Sequence, residues 1–190
     1  MDSPFLAAIA AGLAGRGWRV VRFEFPYMAR QRSTGRRRAP DRLPVLLEAF
    51  RQQVGLERKA RPERPLILAG KSMGGRVASL LVDELADAGD VGGCVCLGYP
   101  FHPPGRPERL RIDHLVSLRT PALILQGERD SFGRREEVEA YPLSPRVRLG
   151  WIPGGDHSFK PTRSSGVSEA ENLATAVCLS DGFLQRCLHR

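Results

Sequence analysis

The chain has 190 residues and a formal net charge of +8, with 29 lysines and arginines against 21 acids. That length suits one domain able to bury roughly 70% of its unfolded surface. The 42% hydrophobic and 26% charged fractions are those of an ordinary globular protein, and no apolar run approaches the roughly 20 residues a bilayer crossing needs. The excess charge is almost entirely arginine and is scattered, apart from Arg30, Arg32, Arg36, Arg37 and Arg38. Without interleaved aromatic residues, this pattern gives no reason to expect a nucleic-acid partner.

Taken in chain order, the first expected element is a helix over residues 3–14, with Ser3 as N-cap and Pro4 as first helical residue. Its apolar run Phe5–Ala11 follows Asp2 rather than basic residues, so it reads as a helix of a cytoplasmic protein and not as a signal peptide. A strand is expected over Arg19–Phe25, then a long basic loop to Ala39, then a helix over Arg42–Val54. Next come a strand over Pro65–Ala69, a helix over Ser72–Ala88 and a strand over Val91–Leu97. A loop rich in proline and glycine (Gly98–Pro107) separates these from a strand over Ala122–Gln126. A short helix near Arg134–Glu139, a strand over Val147–Trp151 and a helix over Ser168–Leu188 complete the series. Buried-type strands alternating with helices predict an α/β fold, a three-layer α/β/α sandwich on a mostly parallel sheet, in a single domain over 1–190 without a large cap.

Cys94, Cys96, Cys178 and Cys187 form no C-x-x-C pair and no zinc spacing. They are expected as buried free thiols, with Cys94 and Cys96 on one face of a strand. No metal and no organic cofactor is expected.

The chemistry is carried by Gly70-Lys71-Ser72-Met73-Gly74-Gly75, which follows the apolar run Leu66–Ala69. A serine between glycines, at a strand end and before a helix, has the G-x-S-x-G form of a nucleophile elbow. The glycines remove Cβ atoms that a sharp strand-to-helix turn would bring into collision. Two later strand patterns end in Asp130 and, through a loop, in His157. Ser72, Asp130 and His157 in that order, each beyond the C-terminal end of a strand, meet at one edge of a parallel sheet. Ser72 is the expected nucleophile, His157 its base and Asp130 the residue that orients the imidazole. Met73 N–H and Gly74 are expected at the oxyanion position, with Lys71 inside the elbow either near a bound anion or solvated.

Other readings compete at each position. Ser72 is also a plausible plain N-cap. The phosphate-loop reading of Gly70-Lys71-Ser72 fails because Pro65 stands where that motif needs glycine. His102, His114 and His189 are the alternative histidines, with His102 near enough to a strand end to contact substrate. Glu128 and Asp156 are the alternative acids, Asp156 being better suited to orient its own loop. Arg30 and Arg32 are expected on the catalytic side, as surface residues or as attractors of an anionic substrate group.

Together with Met1–Phe5, Phe23–Met28, Gln126–Asp130 and Gly155–Phe159, the elbow resembles the α/β-hydrolases. The chain looks like a small, cap-less, dienelactone-hydrolase-like member and, more narrowly, resembles the predicted hydrolases grouped with testis-expressed protein 30 and NSL complex subunit 3. The resemblance implies a Ser-Asp-His hydrolase fold and does not specify a substrate; the leading expectation is hydrolysis of a small ester or thioester, by a monomer or homodimer. The alternative is a hydrolase-fold scaffold of weak or no activity. It also implies a strand and oxyanion loop ahead of the first helix, which this sequence lacks. The expectation is therefore that Met1 is an internal methionine of a longer protein.

Overall fold

The computed structural model describes residues 3–188, so Met1, Asp2, His189 and Arg190 lie outside the described residues. Helix α1 (Pro4–Ala14) starts as its sequence dictates, with Ser3 Oγ accepting from Leu6 N–H at 3.2 Å and Pro4 in the first turn. After a stretch without regular structure come α2 (Pro26–Thr34) and α3 (Leu43–Ala60). The remaining elements are β1 (Leu68–Lys71), α4 (Met73–Asp87), β2 (Cys94–Leu97), α5 (Asp113–Val116), β3 (Ala122–Gly127), α6 (Arg135–Val138), β4 (Val147–Ile152) and α7 (Glu169–Leu188).

The strands run parallel in the order β1-β2-β3-β4. Leu68 lies opposite Cys94, Cys94 opposite Ala122, and Ala122 opposite Val147. Because side chains alternate along a strand, this register sorts the core into two layers. Cys94, Cys96, Ala122 and Ile124 pack with Phe50, Val77 and Leu81 of α3 and α4. Val95, Leu97, Leu123 and Leu125 pack with Ile9 of α1 and Val177 and Phe183 of α7. The strands are apolar at almost every position because both faces are covered. The result is the expected three-layer sandwich.

Four details differ from the sequence reading. Residues Arg19–Phe25 form no strand, although Val21, Phe23 and Phe25 alternate with Arg22 and Glu24. A strand exists only through a ladder, and a cavity separates this segment from β1. The supposed basic loop contains α2, whose first residue is Pro26 and which closes on Gly35 in the left-handed region at φ 65°. Helix α3 runs on to Ala60, with Arg58 and Lys59 in its last turn, where the helix dipole favours them. Finally, Cys94 and Cys96 are buried on one face as expected, but Cys178 is exposed on α7 and Cys187 is only partly covered.

Candidate active site

The elbow is built by close approach of backbone to backbone. A Cβ on Gly70 would lie 2.2 Å from the carbonyl carbon of Gly74, so only glycine lets β1 turn this tightly into α4. Ser72, at the apex, has φ 52° and ψ −118°, a strained conformation for a residue with a side chain. It stands at the N-cap position, yet its side chain makes no capping hydrogen bond, so the plain N-cap role is not the one it fills. The backbone of Ser72 is tied down on both sides: its N–H donates to Leu97 O at 3.0 Å, and its carbonyl accepts from Arg76 N–H at 3.0 Å. Met73 and Gly74 open α4, where first-turn N–H groups have no intrahelical acceptor.

Asp130 is fully buried just beyond β3. Its Oδ2 accepts from His157 Nδ1 at 2.8 Å and from Gln126 Nε2 at 2.9 Å, and its Oδ1 accepts from Phe132 N–H at 2.9 Å. The Phe132 ring lies against the imidazole, with centroids 4.3 Å apart. His157 itself rests on the end of β2. Gly98 has φ 62°, and a Cβ there would be 2.7 Å from His157 O. Ser72 and His157 are thus held against consecutive residues, Leu97 and Gly98. Among the described residues no hydrogen bond joins Ser72 Oγ to His157, whose ring contacts are Asp130 through Nδ1 and the Phe132 ring.

Lys71 does not sit where an anion would bind, nor is it solvated. Its Nζ donates to His157 O at 2.8 Å and lies 4.9 Å over the Phe5 ring. Burial lowers its pKa, against the opposing pull of Asp130 and Asp156. The residue two before Gly70 thus has its partners in the core, while the one after it braces the histidine loop. Asp156 orients that loop as expected, accepting from Ser158 N–H at 2.7 Å and Lys160 N–H at 3.0 Å. Glu128 supports it from below through Gly154 N–H at 2.8 Å.

Gln126 is the residue the sequence reading missed. Fully buried on β3, it accepts from Tyr99 N–H at 2.7 Å and donates to Asp130 and to the carbonyls of Tyr99 and Gly133. It therefore locks the acid to the loop after β2. The available signal was a lone amide closing the apolar run Ala122–Leu125.

The described alternative histidines, His102 and His114, have other side-chain partners. His102 is buried, with Nδ1 2.9 Å from Pro103 O and Nε2 3.6 Å from Glu137. His114 Nε2 lies 2.9 Å from Ser79 Oγ, and burial, with Arg76 nearby, pushes its pKa down to about 4. Arg30 and Arg32 are exposed and paired with Asp41 and Glu24 respectively, which offsets their charge. Among the described residues, no group of three histidine, cysteine or acidic side chains is placed to hold a metal ion, and no helix is long and apolar enough to cross a membrane.

A parallel α/β sandwich with a strained serine at the turn from β1 to α4, beside a histidine–aspartate pair, defines the hydrolase class of this fold. The chain belongs to the alpha/beta hydrolase domain family, whose model matches residues 1–185. Solved structures agree on the fold. An alpha-beta serine hydrolase homologue from Coxiella burnetii is 18% identical at a TM-score of 0.67, over 98% of this chain and 77% of its own. An esterase from Pyrococcus furiosus is 16% identical at 0.67, over the same shares. Est1E from Butyrivibrio proteoclasticus is 15% identical at 0.69, over 100% of this chain and 84% of its own.

Proposed function

We propose that this α/β hydrolase cleaves a small carboxylic ester or thioester through an acyl-serine intermediate. In this reading Ser72 Oγ attacks the carbonyl carbon while His157 Nε2 takes its proton. The Met73 N–H, at the positive end of α4, donates to the developing oxyanion, an interaction worth about 3 kcal/mol in the transition state. His157 returns the proton to the leaving alcohol or thiol. It then takes one from the water that attacks the acyl carbon, which releases the acid and restores Ser72. Asp130 holds the imidazole in the tautomer with Nδ1 protonated and stabilises its charged form.

The observation that carries this reading is the 2.8 Å contact of His157 Nδ1 with a fully buried Asp130, beside a serine held in a strained turn. A structural histidine has no need of a neighbouring strained serine whose hydroxyl lacks a partner. The same unpartnered hydroxyl favours a second reading, a scaffold in which the triad is not assembled for turnover. Two measurements decide between them: fluorophosphonate labelling, and hydrolysis of p-nitrophenyl acetate and butyrate, each with Ser72→Ala and His157→Gln. Labelling and hydrolysis that both disappear in Ser72→Ala support the hydrolase. Neither labelling nor turnover in the unsubstituted chain supports the scaffold.

A further inference from the structure

Taking a guanidinium group out of water is unfavourable unless an acceptor replaces the water. Arg58, with its side chain 25% exposed, has such an acceptor in Asp90 at 3.3 Å. Arg76 on α4 and Arg111, two residues ahead of α5, do not. Both are half-buried, and among the described residues neither guanidinium group meets an acid or an aromatic ring. Arg76 Nε is shut off from solvent and has no hydrogen-bond partner there. A buried donor left in this state calls for an explanation.

One polar cluster holds both arginines. Ser79 Oγ donates to Arg76 O at 3.0 Å and lies 2.9 Å from His114 Nε2. The Tyr99 ring is 6.5 Å from that of His114, and its hydroxyl donates to Arg111 O at 2.9 Å. Burial lowers the pKa of Arg111, and the charge of Arg76 lowers it further. Burial and then Arg76 also hold His114 neutral, so it adds no third positive charge. The acids that act on His114 leave the arginines unpaired: Asp83 accepts from the N–H groups of Arg119 and Thr120, and Asp113 is exposed. Two like charges are thus gathered around a missing acceptor. A carboxylate would cancel one charge and leave most of the two donor forks unused. A phosphate group carries a charge of about −1.5 to −2 at neutral pH and three strong acceptor oxygens, which matches two guanidinium groups in both respects.

We propose that Arg76 and Arg111, linked through Ser79, His114 and Tyr99, form a binding site for a phosphate group, either the free ion or the phosphate of a small ester. Arg76 N–H donates to Ser72 O at 3.0 Å, which places the site one helical turn beyond the elbow. The inference is independent of the role of Ser72 in hydrolysis.

The test titrates inorganic phosphate and phenyl phosphate separately into the full chain at neutral pH, in buffer free of other oxoanions. The readouts are the Arg76 Nε–H signal in a proton–nitrogen correlation spectrum and the thermal midpoint. A saturable shift of that signal is expected, with a midpoint raised by about 3–6 °C at ten times the dissociation constant. Arg111→Gln should weaken binding at least about 10-fold. Arg76→Lys, which keeps the charge but loses the buried Nε–H, should weaken it similarly. Without phosphate, Arg111→Gln should be at least as stable as the parent, since it removes one of two like charges, and this separates lost binding from lost folding. Tighter binding of phenyl phosphate than of inorganic phosphate identifies an ester as the source, and the reverse identifies the free ion. The proposal is overturned if neither compound shifts the signal, or if sodium chloride at equal ionic strength shifts it as far. It is also overturned if acetate binds more tightly than phosphate, or if Arg111→Gln binds phosphate as the parent does. An Arg111→Gln variant less stable than the parent without phosphate would show that the guanidinium group already has its partner, with the same consequence.

Discussion

Replacing Gln126 with leucine isolates the polar contribution of one buried side chain, because the two residues are similar in volume and no cavity is opened. In the native structure Gln126 accepts from Tyr99 N–H at 2.7 Å and donates to Gly133 O at 3.2 Å, Tyr99 O at 3.2 Å and Asp130 Oδ2 at 2.9 Å. Two of these partners have alternatives: Tyr99 O still accepts from Phe101 N–H at 3.1 Å, and Asp130 Oδ2 from His157. The other two, Tyr99 N–H and Gly133 O, are left unsatisfied. At about 1–3 kcal/mol for each orphaned buried group, the expected loss is about 2–6 kcal/mol. For a chain of this size each kcal/mol moves the thermal midpoint by about 2–4 °C, so the midpoint should fall by roughly 4 °C at the least. Thermal unfolding followed by circular dichroism, with urea titration for the free energy, measures it. Gln126→Glu should be worse than Gln126→Leu, since it turns a carboxylate oxygen toward Asp130. A leucine variant within about 1 kcal/mol of the parent, or a glutamate variant milder than leucine, would refute the reasoning.

Two further outcomes are expected. Gly70→Ala places a Cβ 2.2 Å from the Gly74 carbonyl carbon, which β1 and α4 can relieve only by separating. Loss of about 4 kcal/mol or failure to accumulate is expected, and an alanine variant with a native urea midpoint would contradict it. His114 is held neutral, its pKa lowered from 6.5 to about 4 chiefly by burial and then by Arg76, against Asp113 and Asp83. Between those values the unfolded chain binds a proton that the fold refuses, so stability falls as pH drops from 6.5 toward 4. In His114→Gln the dependence of the thermal midpoint on pH over that window should flatten. An unchanged slope would show that other groups carry it.

The parts of the fold written in local pattern were legible. The glycines at 70 and 74, the apolar runs ending at Asp130 and before His157, and the Ser3-Pro4 start needed only short-range steric and capping arguments. Arg19–Phe25 was misread because alternation reports that a segment suits a strand, not that a partner is within reach. The helix Pro26–Thr34 was hidden by its five-residue run of polar and basic side chains, Arg30–Thr34, which gives no apolar stripe. Lys71 was misplaced because the direction of a side chain at a strand end depends on what folds over it, here Phe5 and the His157 loop. The role of Gln126 depends on Tyr99 and Gly133, which sequence distance conceals.

The brace from Lys71 Nζ to His157 O joins residues 86 positions apart. In an all-parallel sheet every strand pair is made through a crossover, so no hairpin forms early and each ladder awaits a long excursion of chain. Ser72, Asp130 and His157 follow β1, β3 and β4, so they can come together only when the last crossover has closed. A collapsed intermediate with its helices formed would already give most of the far-ultraviolet dichroism while holding no site at all. If the proposed function holds, a reagent that senses the assembled trio would therefore time the final step of folding, which the spectroscopic signal passes over.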